Sequence, residues 1–166
     1  MTRRPFLLAL CVVAAALLQT TLFARLGLAG VAPNLVSLVV IAAAAELTDT
    51  GAAFLGFAAG LFLDGLSETP LGLWAASLTV VGYLVRLGET VVGGSFSGLV
   101  ASVAIGSFGA EGLFAGIGSI FGQATLSGGR TVRTMLLVTV YNLVLAVVVV
   151  PIVRRVARGS GRRVGW

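Results

Sequence analysis

The sequence predicts an all-α integral membrane protein, a six-transmembrane-helix bundle, and three observations carry that reading. Six apolar stretches fill most of the 166 residues. Mean hydropathy is +1.08, with 58% of residues apolar. Only 10% are charged, too few to cover that surface in water. A bilayer core instead asks for about 20 apolar residues per helical crossing, with every backbone polar group bonded inside the helix. The expected layout is one membrane domain over residues 1–158 and a short basic tail over 159–166.

The first span is expected from Pro5 to Ala24. Arg3 and Arg4 ahead of Phe6–Leu18 resemble a secretory signal peptide, but Ala14, Ala15 and Ala16 lie inside the apolar core rather than after it, so the span is read as uncleaved. Gln19 is polar where lipid surrounds the chain, so it should face another helix. Arg25 to Gly30 is a loop. The second span starts after Pro33, whose missing N–H costs nothing at a helix start, and runs from Asn34 to Leu47. Only Thr48-Asp49-Thr50 separates it from the third, Gly51–Leu66, so the two form an antiparallel hairpin. Both are short for a crossing, and tilt, thinning or burial in protein must help.

The fourth span is expected from Pro70 to Leu87, ending at Arg86, with Gly88–Gly98 as a turn or interfacial loop. The fifth, Leu99–Gly122, carries Gly106, Gly109, Gly112, Gly116, Gly118 and Gly122 with Glu111 in the middle. It is either one bent helix or two half-helices meeting near Gly109, and one helix is preferred. After a Ser/Gly loop from Gln123 to Thr131, the sixth span runs from Val132 to Val153 and contains Asn142 and Pro151.

Charge placement sets orientation. All 11 basic residues are arginine, and the net charge is +5. Arg3 and Arg4 precede the first apolar run; Arg154, Arg155, Arg158, Arg162 and Arg163 follow the last. Those positions read as juxtamembrane anchors for anionic lipid and as orientation signals, not as a nucleic-acid surface. With six spans, Arg86 joins them on one side, and Arg25, Arg130 and Arg133 lie on the other. The positive-inside rule then places both termini in the cytoplasm. Cys11 is the lone cysteine and histidine is absent, so the usual ligands for zinc, copper or haem are missing, as are Ser–His and Cys–His nucleophile pairs. Neither a cofactor nor an enzymatic activity is expected.

Three sets of polar residues stand out. Gly56, Gly60 and Asp64 are spaced i, i+4, i+8 and share one face of the third span, extended one turn back by Ala52. Small residues there let another backbone come close. That face is either internal packing, with Asp64 touching water, or a docking groove with Asp64 as its polar latch. Glu46, Asp49, Asp64 and Glu68 bracket the second and third spans, where acids near helix ends are usually hydrated. Glu111 falls mid-span, where a charge costs about 2.5–3.5 kcal/mol on the insertion scale, so it should be protonated, paired or facing a polar cavity. Gln19 and Asn142 are candidate neighbours by type. Glu111 is read as helix-pairing glue, and a ligand pocket stays open as the second reading.

Gln19-Thr20-Thr21-Leu22, Ala32-Pro33-Asn34-Leu35, Gly51, Gly56-Phe57, Gly60-Leu61, Leu63-Asp64, Leu71-Gly72 and Gly82-Tyr83-Leu84 together resemble the rod shape-determining protein MreD family. Tyr141-Asn142-Leu143 through Pro151 and Arg154-Arg155 resemble that family's last span and basic tail. One departure is Asn34, where the family often carries Asp; the capping oxygen is kept and the charge is lost. The resemblance implies a non-catalytic subunit of the bacterial elongation machinery in the cytoplasmic membrane. Its implied partners are an MreC-like single-span protein, the glycosyltransferase RodA, a penicillin-binding transpeptidase and, indirectly, MreB filaments. It also implies a helical arrangement similar to the S components of energy-coupling-factor transporters. The alternative function is such a substrate-binding S component, for a vitamin or metal.

Overall fold

The computed structural model describes residues 3–23, 31–67, 69–92, 95–123 and 129–158. Within them lie α1 (Arg3–Leu18), continued by a wider π-helical turn over Gln19–Phe23, α2 (Leu35–Ala44), α3 (Asp49–Leu66), α4 (Leu73–Val92), α5 (Phe96–Ile120) and α6 (Gly129–Arg158). The described residues form no strand. Arg25, Glu68 and the tail over 159–166, with Arg162 and Arg163, lie outside the described residues.

Among the described residues, three stretches are long and apolar enough in themselves to cross a membrane: Arg4–Leu22, Phe96–Ile120 and Gly129–Arg158. Helices α3 and α4 have 18 and 20 residues, but Asp49 and Asp64 in one and Arg86 and Glu89 in the other dilute their hydropathy. Helix α2 has only 10 residues, about 15 Å at 1.5 Å per residue, half of a hydrocarbon core. All ten are buried, and α2 touches each of the other five helices. The second apolar stretch is therefore the axis around which the other helices stand, shorter at its C-terminal end than the sequence predicts.

Ion pairs and hydrogen bonds fix the directions of the helices. Arg4 reaches the carbonyl of Arg158, Arg158 and Arg154 reach Glu46, Arg86 reaches Asp49, and Ser102 and Arg154 both reach Glu89. The starts of α1, α3 and α5 thus share one end with the ends of α2, α4 and α6, and the helices alternate in direction. Both ends of the described chain lie at this arginine-rich end.

A boundary differs from expectation near Gly88, whereas the glycine-rich fifth stretch takes the preferred form of one helix. Helix α4 runs on through Gly88 to Val92, and α5 is one unbroken helix through Gly106 to Gly118. Gly88, Gly109 and Gly116 face open space, and an apolar surrounding offers the backbone no water to bond instead. Helix formation is then the cheapest way to satisfy the backbone even where propensity is poor. Helix α6 begins at Gly129 and passes through Pro151 to Arg158, longer at both ends than the sequence predicts.

Candidate functional site

The tightest packing joins α3 to α4, and its register follows from small residues. A Cβ added at Gly56 would collide with the Leu78 carbonyl, and one at Gly60 would lie 2.5 Å from the Ala75 Cα. From the other side, a Cβ at Gly82 would lie 2.7 Å from the Ala52 carbonyl oxygen. Each step of four residues toward the end of α3 is matched by four toward the start of α4, as antiparallel helices require. Side-chain-free positions let the two backbones touch, and dispersion contacts replace the hydrophobic force that lipid does not supply. The stripe of Gly56 and Gly60 is occupied by α4 of the same chain.

Asp64 completes that register at the far end. Its side chain is 1% exposed. It accepts hydrogen bonds from the backbone N–H groups of Gly72 at 2.9 Å, Trp74 at 3.0 Å and Ala75 at 3.1 Å, and from Thr69 Oγ1 at 3.4 Å. The first N–H groups of any helix lack an intrahelical partner, and its positive end favours a carboxylate. Asp64 therefore caps α4 from the end of α3, across a turn in which Gly72 takes a positive φ of 103°. This differs from the hydrated acid expected near a helix end: the short turn folds the start of α4 over the carboxylate and excludes solvent. Trp74 stacks on Phe114 of α5, with ring centroids 4.3 Å apart, and so ties the capped turn to the next helix.

A second cap sits at the bundle centre, where α2 begins away from water. Asn34 Oδ1 accepts from the Ser37 N–H at 3.0 Å, and Ser37 Oγ donates to the Asn34 carbonyl at 2.8 Å. Gln19 Oε1 accepts from the Val36 N–H at 3.4 Å. Asn34 Nδ2 donates to Glu111 Oε1 at 3.1 Å. Asn142 Nδ2 lies 3.2 Å from the Asn34 carbonyl, 3.2 Å from Ser37 Oγ and 3.0 Å from Ser107 Oγ. Ser107 and Glu111 are one turn apart on α5 and present the same face to α2. Asn142 is fully buried, and its Oδ1 has no hydrogen-bond partner among the described residues. Residues from α1, α5 and α6 thus converge on the N-terminus of α2, each answering a polar group that lipid could not satisfy. Sequence reasoning singled out Gln19, Glu111 and Asn142; Asn34 as the group that links Glu111 to Asn142, and Ser37 and Ser107, were missed. The clue to Asn34 was its position as the cap of an otherwise apolar run.

Glu111→Gln should leave the fold nearly unchanged, because the amide oxygen still accepts from Asn34. Glu111→Leu should cost about 1–2 kcal/mol, the worth of an intramembrane hydrogen bond in model peptides. Unfolding midpoints of the two variants in one detergent check this.

The arginine-rich end carries the third arrangement. Arg154 bonds Glu89 at 3.0 Å and lies 3.7 Å from Glu46; Arg158 bonds Glu46 at 2.7 Å; Arg86 bonds Asp49 at 3.3 Å. Arg154 and Arg158, read from sequence as lipid anchors, are engaged by carboxylates that fold back from the α2–α3 link and the end of α4. The hydrogen bond from Arg158 holds the Glu46 carboxyl below its ordinary range, with the Arg154 and Arg86 charges adding to the effect and burial opposing it. A depressed folded value means that Glu46 stabilises the protein above the ordinary carboxylate value. That contribution is lost as pH falls through the folded value. Glu46→Gln should therefore flatten the acid side of the stability profile, by at most about 1 kcal/mol for so exposed a pair. Thermal unfolding of both forms across that range is the check.

The chain matches, over residues 2–158, the family described as rod shape-determining protein MreD. It belongs to the MreD family. No curated protein and no solved structure matches the chain. Membership makes this a membrane protein of the rod-shape system, in a family described by cell shape rather than by a reaction. The matched segment contains all of α1–α6, so the capped α3–α4 hairpin, the polar centre and the arginine-rich end all belong to the MreD region.

Proposed function

We propose that this MreD-family chain is a non-catalytic, six-span subunit of the cell-elongation complex in the bacterial cytoplasmic membrane. In this reading it holds an MreC-like single-span partner, and through it couples MreB filaments to RodA and a penicillin-binding transpeptidase. The observation that carries the reading is how its polar side chains are used. Asp64, Asn34, Glu111 and Asn142 are bonded to helix ends and to one another, which makes a stiff body rather than a reactive one. The grooves between α4 and α5 and between α1 and α3 are lined almost wholly by apolar side chains. A substrate-binding S component would want convergent polar and aromatic groups around a ligand. In the proposed function the helices have an S-component-like arrangement without the transporter role.

Depleting the protein in a rod-shaped bacterium that depends on it should round the cells while wall synthesis continues. Rods that persist after depletion would contradict the proposal. Among the described residues, six arginines (Arg3, Arg4, Arg86, Arg154, Arg155 and Arg158) fall at the end that holds both ends of the described chain, against Arg130 and Arg133 at the other, which supports a cytoplasmic location for the richer end. A cysteine introduced near either terminus should resist an impermeant thiol reagent in intact cells, and labelling from outside would overturn the topology.

A further inference from the structure

The last turns of α6, with Leu99 from the first turn of α5, border an open surface groove of roughly 590 Å³, lined by Leu99, Val150, Pro151, Arg154, Arg155 and Arg158. Its charges are unequal. Glu46 and Glu89 answer Arg154 and Arg158, and Asp49 answers Arg86. Arg155 is exposed and has no carboxylate partner among the described residues. Below Arg155, at steps of four, three and four residues, stand Pro151, Val148 and Val144, one stripe of α6. Val148 and Val144 are 61% and 67% exposed, so an unbroken apolar track leads away from the cationic mouth.

We propose that this groove holds one anionic phospholipid. Its phosphate sits against Arg155, with the free edge of Arg158 beside it, and one acyl chain lies along Pro151, Val148 and Val144 with Leu99 as the opposite wall. The ion pairs of Arg154 and Arg158 hold the mouth in shape, and Arg155 supplies the unspent charge. The apolar continuation favours a lipid over an acidic protein segment, which would match the arginine but leave the track empty.

The test uses the full chain in detergent, with retained lipid read by native mass spectrometry after exposure to phosphatidylglycerol or phosphatidylcholine of identical acyl chains. One phosphatidylglycerol should be retained in preference to phosphatidylcholine. Arg155→Gln should lower that retention about fivefold, the worth of one arginine at an anionic surface, and leave phosphatidylcholine unaffected. Because Arg155 is exposed and has no carboxylate partner among the described residues, the unfolding midpoint should not move. Arg133→Gln, an exposed arginine at the opposite end, should change nothing. Equal losses for the two variants would reduce the site to diffuse attraction and overturn it. Displacement by inorganic phosphate at the lipid's own concentration would show a bare anion site. Capture of an acidic protein with no preference between the lipids would assign the arginine to a protein partner. Either result also overturns the proposal.

Discussion

Asp64→Leu should be the most damaging single substitution in the chain, costing about 3–5 kcal/mol. Three backbone N–H groups at the start of α4 and the Thr69 hydroxyl point at this carboxylate. Each buried donor left unpaired costs about 1–3 kcal/mol, less what relaxation of the turn recovers. No intrahelical acceptor exists for them, because they are the first donors of their helix. Asp64→Asn should fall between wild type and leucine: one oxygen remains, but the amide sets its own donors against the N–H groups. Unfolding midpoints in a denaturant titration of the detergent-solubilised protein give the order wild type, Asn, Leu. Near-ultraviolet circular dichroism should lose its Trp74 signal in the leucine variant, since Trp74 is both a donor to Asp64 and half of the stack with Phe114. A leucine variant as stable as wild type would show that the turn finds other partners.

Gly60→Leu should separate α3 from α4. Even a methyl group at Gly60 would sit 2.5 Å from Ala75 backbone atoms, and backbone cannot rotate out of the way as a flexible side chain can. Overpacking of this kind costs about 1–3 kcal/mol for small additions, and leucine adds three more carbons. The helices would move apart, and the Asp64 cap one turn away would lengthen with them. Phe57→Leu is the matched control, because Phe57 is 47% exposed on another face and the swap keeps a large apolar side chain. It should cost less than about 1.5 kcal/mol. The register also orders the milder changes: Gly56→Ala and Gly60→Ala should each destabilise, whereas Gly65→Ala, facing open space, should be neutral or slightly stabilising. If Gly60→Leu unfolds at the wild-type midpoint, the close approach is not what holds the hairpin.

These positions show where the sequence is legible and where it is not. The i, i+4, i+8 spacing of Gly56, Gly60 and Asp64 is enough by itself to put all three on one helix face. Whether that face meets α4 or another protein is a tertiary question that spacing does not answer. Glu111 is recognisable as a mid-span acid in need of a partner, because its cost depends only on its depth in an apolar run. Its partner is Asn34, 77 positions earlier in the chain, and no local pattern specifies such a pairing. The second apolar stretch reads as an ordinary short span. Its role as a central helix follows from being apolar on every side, which is the mark of a helix surrounded by others. The arginines after the last span are legible as a cationic end. Among the described residues, the pairing of Arg154 and Arg158 but not Arg155 with carboxylates depends on Glu46 and Glu89 arriving from distant turns.

The proposed function is that of a stiff, non-catalytic bundle acting through a protein partner in the elongation complex. It is tested most directly by affinity purification of the full chain from native membranes under mild detergent, with proteins and small molecules identified in the same sample. An MreC-like single-span protein should be recovered in near-equal amount, retained by Phe57→Leu and lost by Gly60→Leu at matched expression. Recovery of transporter ATPase subunits with a stoichiometric vitamin or metal ion, and no elongation protein, would contradict it.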